Sequence, residues 1–433
     1  LHRLIINQLG PIEHCELECK DFLTLTGFQA SGKSTIAKTI YFFRTIKDDV
    51  ISLAIKQALD SLYDAQKKDL TLRRALEAFL REKFLRIFGS SWGMQNDMYI
   101  QYFYAEGVSV KVNLKEETLY PTPNYIWIDL SPKITKFLST YNKHFSASLI
   151  GIPEENKKEF QDKVFRLFND EYPIVYIPAG RSMITLLSSQ LSYLYSTMED
   201  SQKRTLDYCT QDYLERILRL KPEFELGLRG ILSDERKKDY IIKEKALQLI
   251  NKVLRGTYQY TNGEERILVD EKKYVKINFS SSGQQESVWI LNLLFYYLAK
   301  KNPVLFIIEE PESHLFPESQ KYITELISLI YNQGFPIVIT THSPYILGTL
   351  NNLLYAEHVA KSAPQNHSKI DKIVSEDFWL QPSRFSTWFV KEGGVENCMD
   401  SETIFIENEK IDEISLNINK EFDDIFNVTF EES

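Results

Sequence analysis

Cysteine is scarce in this chain of 433 residues: there are four, Cys15, Cys19, Cys209 and Cys398. So thin and scattered a set excludes a disulfide scaffold. Cys15 and Cys19 share strand parity, yet a zinc half-site needs a second Cys or His pair at ligand spacing and none follows. All four read as structural thiols, which fits a reducing cytoplasm. Long apolar runs are missing too. None approaches the ~18 residues of a membrane span, and the N-terminal residues lack a signal-peptide layout. No membrane partner is therefore expected. Numbering that opens on Leu1 reads as a start downstream of the initiator Met. Positive charge does not dominate: the net charge is −9. That excludes a broad DNA-coating surface and leaves room for a local basic groove. There are no internal repeats, no low-complexity tract and no long heptad run, so no place for a coiled-coil arm. What remains is an ordinary globular balance, 43% hydrophobic, 13% aromatic and 26% charged, with mass for two or three domains.

Periodicity gives a coarse map. Residues 3–9 and 14–26 read as two strands joined by a Gly10-Pro11 turn. A long helical stretch runs from about Asp48 to Phe88, with Leu72, Leu76, Leu80 and Phe84 at helical spacing. MYIQYFYAEGVSVKVNL alternates and reads as a hairpin. A helical piece surrounds Lys133 to Tyr141, and IVYIPA (174–179) is a short buried strand. Residues 183–255 read as mostly helical. A hairpin over 257–279 turns at Asn262-Gly263. Strand and helix then alternate over 303–309, 318–332 and 335–341. A tail hairpin at 385–400 turns at Gly393-Gly394, and 408–428 reads as an acidic amphipathic helix or two.

The sharpest feature is GFQASGKST at 27–35, a complete GxxxxGK[ST] phosphate loop between a strand and a helix start. Gly27 and Gly32 let the backbone curl, so that the N–H groups around Ala30, Ser31 and Gly32 point at one anion. Lys33 is expected to reach the β- and γ-phosphates of ATP. Ser34 is expected to ligate Mg²⁺, and Thr35 to complete the nucleotide-binding loop. A Gly-rich turn before a surface helix is the plain alternative, and Lys-Ser at the required spacing weighs against it.

Four further elements follow in order. FSSSGQQE (279–286) precedes an apolar helix and offers hydroxyls and free N–H groups to an anion; read plainly, it is a capping box with Ser282 as cap and Gln285 three residues on. VLFIIEEP (304–311) is an apolar strand ending in two carboxylates. Glu309 is expected in the Mg²⁺ shell, and Glu310 as the base that orients and deprotonates the attacking water. ESHLFP (312–317) comes directly after. IVITTHSP (337–344) is a second apolar strand, ending in His342.

These residues resemble the ABC-type ATPases of the SMC, RecF and OLD class, most closely the OLD-like ATPases, which carry segments similar to EEPESHLFP and THSPYIL. The likeness covers residues 1–40 and 257–350 well and the stretch between poorly, apart from VYIPAGRS (175–182). It implies an α/β fold: an ABC-type P-loop NTPase core with a mixed sheet, an antiparallel β subdomain and a large helical insert. The corresponding domains are 1–45, the P-loop half of the core; 46–256, a mostly helical insert with a hairpin near 97–115; 257–350, the second half of the core; and 351–433, a hairpin with an acidic helical tail. The resemblance makes His342 the switch histidine at the γ-phosphate. It places Ser282, Gly283 and Gln285 in a signature motif that completes the site of a second copy, so that ATP holds a dimer together and hydrolysis releases it.

Departures are visible. The signature is SSGQQ rather than LSGGQ, and Glu309 stands where transporters carry Asp. The Q-loop glutamine is Gln101 or Gln190. Arg181 suits the site or a structural salt bridge equally. Asp412-Glu413 and Asp423-Asp424 read as a solvated face rather than a metal cluster. With 91 residues after His342 (433 − 342), a TOPRIM nuclease domain is not expected in the chain. The likeness then points to stand-alone ATPase subunits of phage-defence systems of the PARIS or Septu type. These control a separate effector such as a TOPRIM or HNH nuclease. The alternative is a RecF/SMC-like ATPase that clamps DNA in repair.

Overall fold

In the computed structural model the described residues are 2–63, 71–90, 94–115, 125–141, 153–186, 207–232, 237–270, 272–400, 405–407 and 419–425. The first two segments alternate apolar and polar side chains and form β1 (His2–Leu9) and β2 (Ile12–Cys19), turned at Gly10. Residues 14–26, expected as one strand, are two. The chain breaks at Lys20-Asp21, and β3 (Phe22–Gly27) departs into another sheet. Its residues are buried on both faces, where those of β2 alternate. The P-loop helix is α1 (Lys33–Arg44), and the expected long helix is two, α2 (Ile46–Tyr63) and α3 (Leu72–Phe88).

Next come β4 (Tyr99–Ala105), β5 (Val108–Lys115) and β6 (Tyr125–Leu130). They extend the first two strands into an antiparallel sheet of order β2-β1-β4-β5-β6, with Ile5 opposite Gln101. The helices α4 (Pro132–Tyr141) and α5 (Glu154–Phe168) lead to β7 (Ile174–Ile177). Then follow α6 (Tyr208–Leu220), α7 (Lys237–Leu254) and a hairpin of β8 (Thr257–Thr261) and β9 (Glu264–Leu268). Asn262 and Gly263 both take positive φ at its turn, as the sequence requires. The short β10 (Tyr274–Lys276) pairs with β9.

The longer elements that follow are α8 (Ser282–Lys300), β11 (Leu305–Glu309), α9 (Pro317–Asn332), β12 (Ile337–Thr341), α10 (Pro344–Ser362), β13 (Phe385–Lys391) and β14 (Gly394–Asn397). The last hairpin turns at Glu392-Gly393, one position earlier than expected, since Gly394 already pairs with Lys391.

The central sheet has the order β14-β13-β3-β12-β11-β7, parallel except for β14. Strand alternation divides its side chains between two cores. Phe22, Val175, Ile177, Phe306, Ile308 and Ile339 pack toward α7 to α10. Leu23, Leu25, Tyr176, Ile307, Val338 and Val390 pack toward α1 to α3 and the inner face of the antiparallel sheet. Each such side chain contributes about 1.5–3 kcal/mol by leaving water, and burial of both faces explains the unbroken apolar runs. The stretch 46–256, expected as a mostly helical insert, thus supplies strands to both sheets: β4 lies on β1, and β7 lies beside β11.

Residues 419–425 are helical and exposed, Asp423 and Asp424 among them; Asp412 and Glu413 lie outside the described residues. Among the described residues, no helix is long and apolar enough to cross a membrane.

Candidate nucleotide site

Parallel pairing brings the C-terminal ends of β3, β12 and β11 to one edge of the central sheet, the edge where ligands bind in open α/β sheets. The phosphate loop leaves β3 there. Gly27 has φ +140° and Gly32 φ +110°, and both are close-packed: a Cβ on Gly27 would lie 2.3 Å from the Val390 carbonyl oxygen, and one on Gly32 would lie 2.4 Å from Ile12 Cδ1. Ala30 also has positive φ, +60°. Gly32 caps α1 without a side-chain bond, so the first N–H groups of the helix are left to a ligand. The Ser31 hydroxyl is buried and has no protein partner. Ser34 is exposed and Thr35 half-buried. The buried Lys33 ammonium folds back, donating to the carbonyls of Gly27 (2.8 Å) and Phe28 (2.6 Å). Burial lowers its pKa, while the carboxylates of Glu310 and Glu312 pull it upward.

At the end of β11, Glu309 is buried. Its Oε1 accepts from the Tyr176 hydroxyl (2.6 Å) and its Oε2 from the Ala179 N–H (3.0 Å). Glu310 is half-buried and takes φ +43°, a strained conformation for a side chain of its size. His342 follows β12. Its Nδ1 lies 3.7 Å from a Glu310 oxygen and 3.5 Å from a Glu312 oxygen. Glu312 is the residue that sequence reading left without a role. Its buried carboxylate accepts from the Thr341 hydroxyl (2.7 Å) and the His342 N–H (2.8 Å), fixing the main chain at the end of β12. Desolvation raises its pKa against those two hydrogen bonds, and its Oε2 is buried without a partner. The phosphate loop, both Walker-type carboxylates and His342 thus share one edge.

Residues 1–347 match the AAA ATPase domain family. The chain belongs to that family. Three solved structures are similar at low identity. An SMC head bound to the C-winged helix domain of ScpA is 12% identical, with 91% of this chain and 96% of that chain covered and a TM-score of 0.42. An Smc head with an extended coiled coil, bound to the C-terminal domain of ScpA derived from Pyrococcus furiosus, is 11% identical, with 92% and 96% covered and a TM-score of 0.38. The SMC head from Thermotoga maritima is 13% identical, with 80% and 90% covered and a TM-score of 0.33. No curated protein matches the chain.

In this AAA ATPase the signature segment differs from its sequence reading. Ser281, not Ser282, caps α8, in a box with Gln284: Ser281 Oγ accepts from the Gln284 N–H and the Gln284 side chain accepts from the Ser281 N–H. The register moves by one because Gln285, also at capping distance on paper, is turned inward. Its Nε2 donates to the carbonyls of Ile277 and Ser280 (3.2 and 3.1 Å). Gln285 is therefore a buried brace, not a residue offered to a second copy. Gly283 lies against the ESHLFP loop of its own chain, where a Cβ would sit 2.7 Å from the His314 carbonyl oxygen. Ser282 alone of the three expected residues is exposed.

Large apolar side chains stand out beside each motif: Phe28 in the phosphate loop is 57% exposed, Phe279 before the signature 81%, Phe316 after ESHL 72% and Tyr345 after His342 54%. Arg181 turns out to be fully buried, bonded to the end of β11 and to α8. Gln101 sits mid-strand on β4, in the antiparallel rather than the central sheet, and Gln190 lies outside the described residues. Burial pushes the Cys15 thiol up to about 12 and the Cys19 thiol to about 11, so both stay protonated and inert.

Proposed function

We propose that the chain binds ATP with Mg²⁺ at this edge and hydrolyses it in a site completed by a second copy. The observation that carries the reading is the convergence of the phosphate loop, the Glu309-Glu310 pair and His342 on one strand edge. In it, Gly27, Ala30, Ser31, Gly32, Lys33 and Thr35 cradle the phosphates. The fit of the metal rests on donor chemistry. Ser34 presents an exposed hydroxyl on the first turn of α1, and each Glu309 oxygen keeps a lone pair beyond its one hydrogen bond. Ser34 and Glu309 would hold Mg²⁺, which supplies charge neutralisation to the phosphates. Lys33 exchanges its two carbonyls for phosphate oxygens. Glu310 orients and deprotonates the attacking water, and His342, held by Glu312, bonds the γ-phosphate. An exposed large side chain beside each motif, Phe28, Phe279, Phe316 and Tyr345, supports contact of these motifs with another protein surface. A second copy presenting Ser282 and the free N-terminal amides of α8 fits that place.

The finer role is a reading by resemblance. The chain would act as the sensor and regulator of an antiphage system whose separate effector, a nuclease, responds to the open or closed dimer. The test has two parts. Glu310→Gln should keep ATP affinity in calorimetry while turnover drops roughly 10²–10⁴-fold. The purified wild type should hydrolyse ATP, leave plasmid DNA uncut with Mg²⁺ or Mn²⁺, and retain a second protein in a nucleotide-dependent way. Wild-type turnover by Glu310→Gln would remove the base from Glu310. Metal-dependent cleavage by the chain itself would remove the separate effector.

A further inference from the structure

The segment 176–185 is a junction that the P-loop chemistry does not require. One end of it holds Glu309: the Tyr176 hydroxyl and the Ala179 N–H bond its two carboxylate oxygens. The other end holds α8. The Arg181 and Ser182 N–H groups donate to the two oxygens of Glu286 (2.9 and 3.0 Å), and the Thr185 hydroxyl donates to the Gln285 carbonyl (3.1 Å). Between them lies the Arg181 guanidinium, with no exposed surface. Its Nη1 donates to the carbonyls of Pro178 and Glu309 (both 2.6 Å), its Nη2 to that of Glu310 (2.9 Å), and its Nε to that of Glu286 (3.0 Å). Its charge is met by the Glu286 carboxylate at 3.4 Å.

A planar, always-charged fork suits this geometry, because it bonds several fixed carbonyls at once; an ammonium cannot match the set. The bonds are also placed where they do mechanical work. Glu310 is held at a strained φ of +43°, and Arg181 grips that very carbonyl. A second contact runs in the same direction: Gly283 of α8 abuts the His314 carbonyl, in the loop that follows Glu310.

We infer that Arg181 and Glu286 form a buried latch joining the Glu309-Glu310 turn of one site to the signature helix that serves the other. This rests on the composite dimer proposed above. A change in the turn, when nucleotide arrives or is cleaved, is passed to α8 as a rigid displacement and so to the partner's site. Arg181 is a positioning residue: it touches main chain, not substrate. Coupling of this kind needs a physical connection with two arrangements, and the guanidinium supplies the connection.

The test uses mixed dimers of the full chain. One protomer carries Glu310→Gln, which silences its own site, and its partner is wild type. All turnover then comes from the wild-type phosphate loop closed by the α8 of the silent protomer. Adding Arg181→Lys to the silent protomer should lower that turnover at least fivefold, with ATP affinity unchanged within twofold. A role confined to its own site leaves the turnover in the neighbouring site untouched, so equal rates overturn the latch. If Arg181→Lys does not fold by its thermal melt, Glu286→Gln in the same position serves. It keeps the side-chain shape, loses the charge partner, and should give the same loss in trans. A control separates the two claims. Ser282→Arg on the silent protomer must also abolish the turnover. If it does not, the composite site fails, whatever Arg181 does; if it does, and Arg181→Lys and Glu286→Gln are both without effect, the latch alone fails.

Discussion

His2 shows how a single ring can report on the packing of the whole first sheet. It is buried, its Nδ1 accepts from the Tyr102 hydroxyl at 3.0 Å and its Nε2–H donates to the Asn169 carbonyl at 3.1 Å. Burial, and then the nearby Arg44 guanidinium, lower its pKa from 6.5 to about 4. The sign follows. Above pH 6.5 the ring is neutral in both folded and unfolded chains, and the stability it contributes is intact. As pH falls toward 4, the unfolded chain takes up a proton that the folded chain refuses. The loss amounts to about 3 kcal/mol at 1.36 kcal/mol per unit. His2→Gln keeps a donor and an acceptor without the titration. Unfolding measured between pH 7 and pH 4 should therefore fall less steeply for the variant than for the wild type. Parallel profiles would mean that His2 is solvated in the folded protein.

At the scale of elements, the phosphate loop is held from a side that its own motif does not mention. β13, beyond the residues matched by the family, pairs with β3 along its whole length, Phe385 opposite Phe22 through Val390 opposite Gly27. The β13–β14 turn accepts the Glu13 and His14 N–H groups on the Gly393 carbonyl, and Phe389 meets the Phe28 ring edge-on at 5.5 Å. Gly27→Ala would drive a Cβ to 2.3 Å from the Val390 carbonyl oxygen, a main-chain atom that cannot turn aside. It should cost at least about 1–3 kcal/mol of stability and weaken ATP binding along with it. Gly180→Ala is the contrast: φ is +68° but a Cβ there meets nothing within 4 Å. That change should carry only the ~1 kcal/mol conformational cost and leave ATP affinity alone. Equal effects of the two in urea titrations and calorimetry would show that β13 does not constrain the loop.

The same contrast explains what sequence could and could not reveal. Strand–loop–helix motifs are local: the spacing of Gly27, Gly32 and Lys33, the carboxylates after an apolar strand and the Asn262-Gly263 turn each carry their meaning within ten residues. The junction is not local. Arg181 meets Glu286 across 105 positions and Glu309 across 128, so nothing near it in the chain signals the bonds it makes. The shift of the α8 cap from Ser282 to Ser281 has a similar cause. Two serines and two glutamines offer the same capping box in neighbouring registers, and the demand of the Ile277 and Ser280 carbonyls for Gln285 decides between them.

For the molecule as a whole, the exposed Ser282, the contact of Gly283 with His314 of its own chain and the exposed Phe28, Phe279, Phe316 and Tyr345 all bear on how many copies make one site. Lys33→Ala should lower ATP affinity at least tenfold, since charge-assisted contacts of this kind are worth roughly 1.5–3 kcal/mol. Ser282→Arg should leave nucleotide binding by the single chain intact and block closure by its bulk. Each variant alone should be inactive. In a mixture, half of randomly paired dimers are mixed, and each contains one site with an intact phosphate loop from the Ser282→Arg chain and an intact α8 from the Lys33→Ala chain. ATP turnover should then return to about a quarter of the wild-type level, if sites act independently in a two-fold dimer. A chain that works as a monomer gains nothing from mixing, because every copy still carries its own defect. Silence in a mixture whose mixed dimers are demonstrated by native mass measurement would mean that both sites must be whole before either turns over. The pair of sites, rather than the single site, would then be the unit of catalysis.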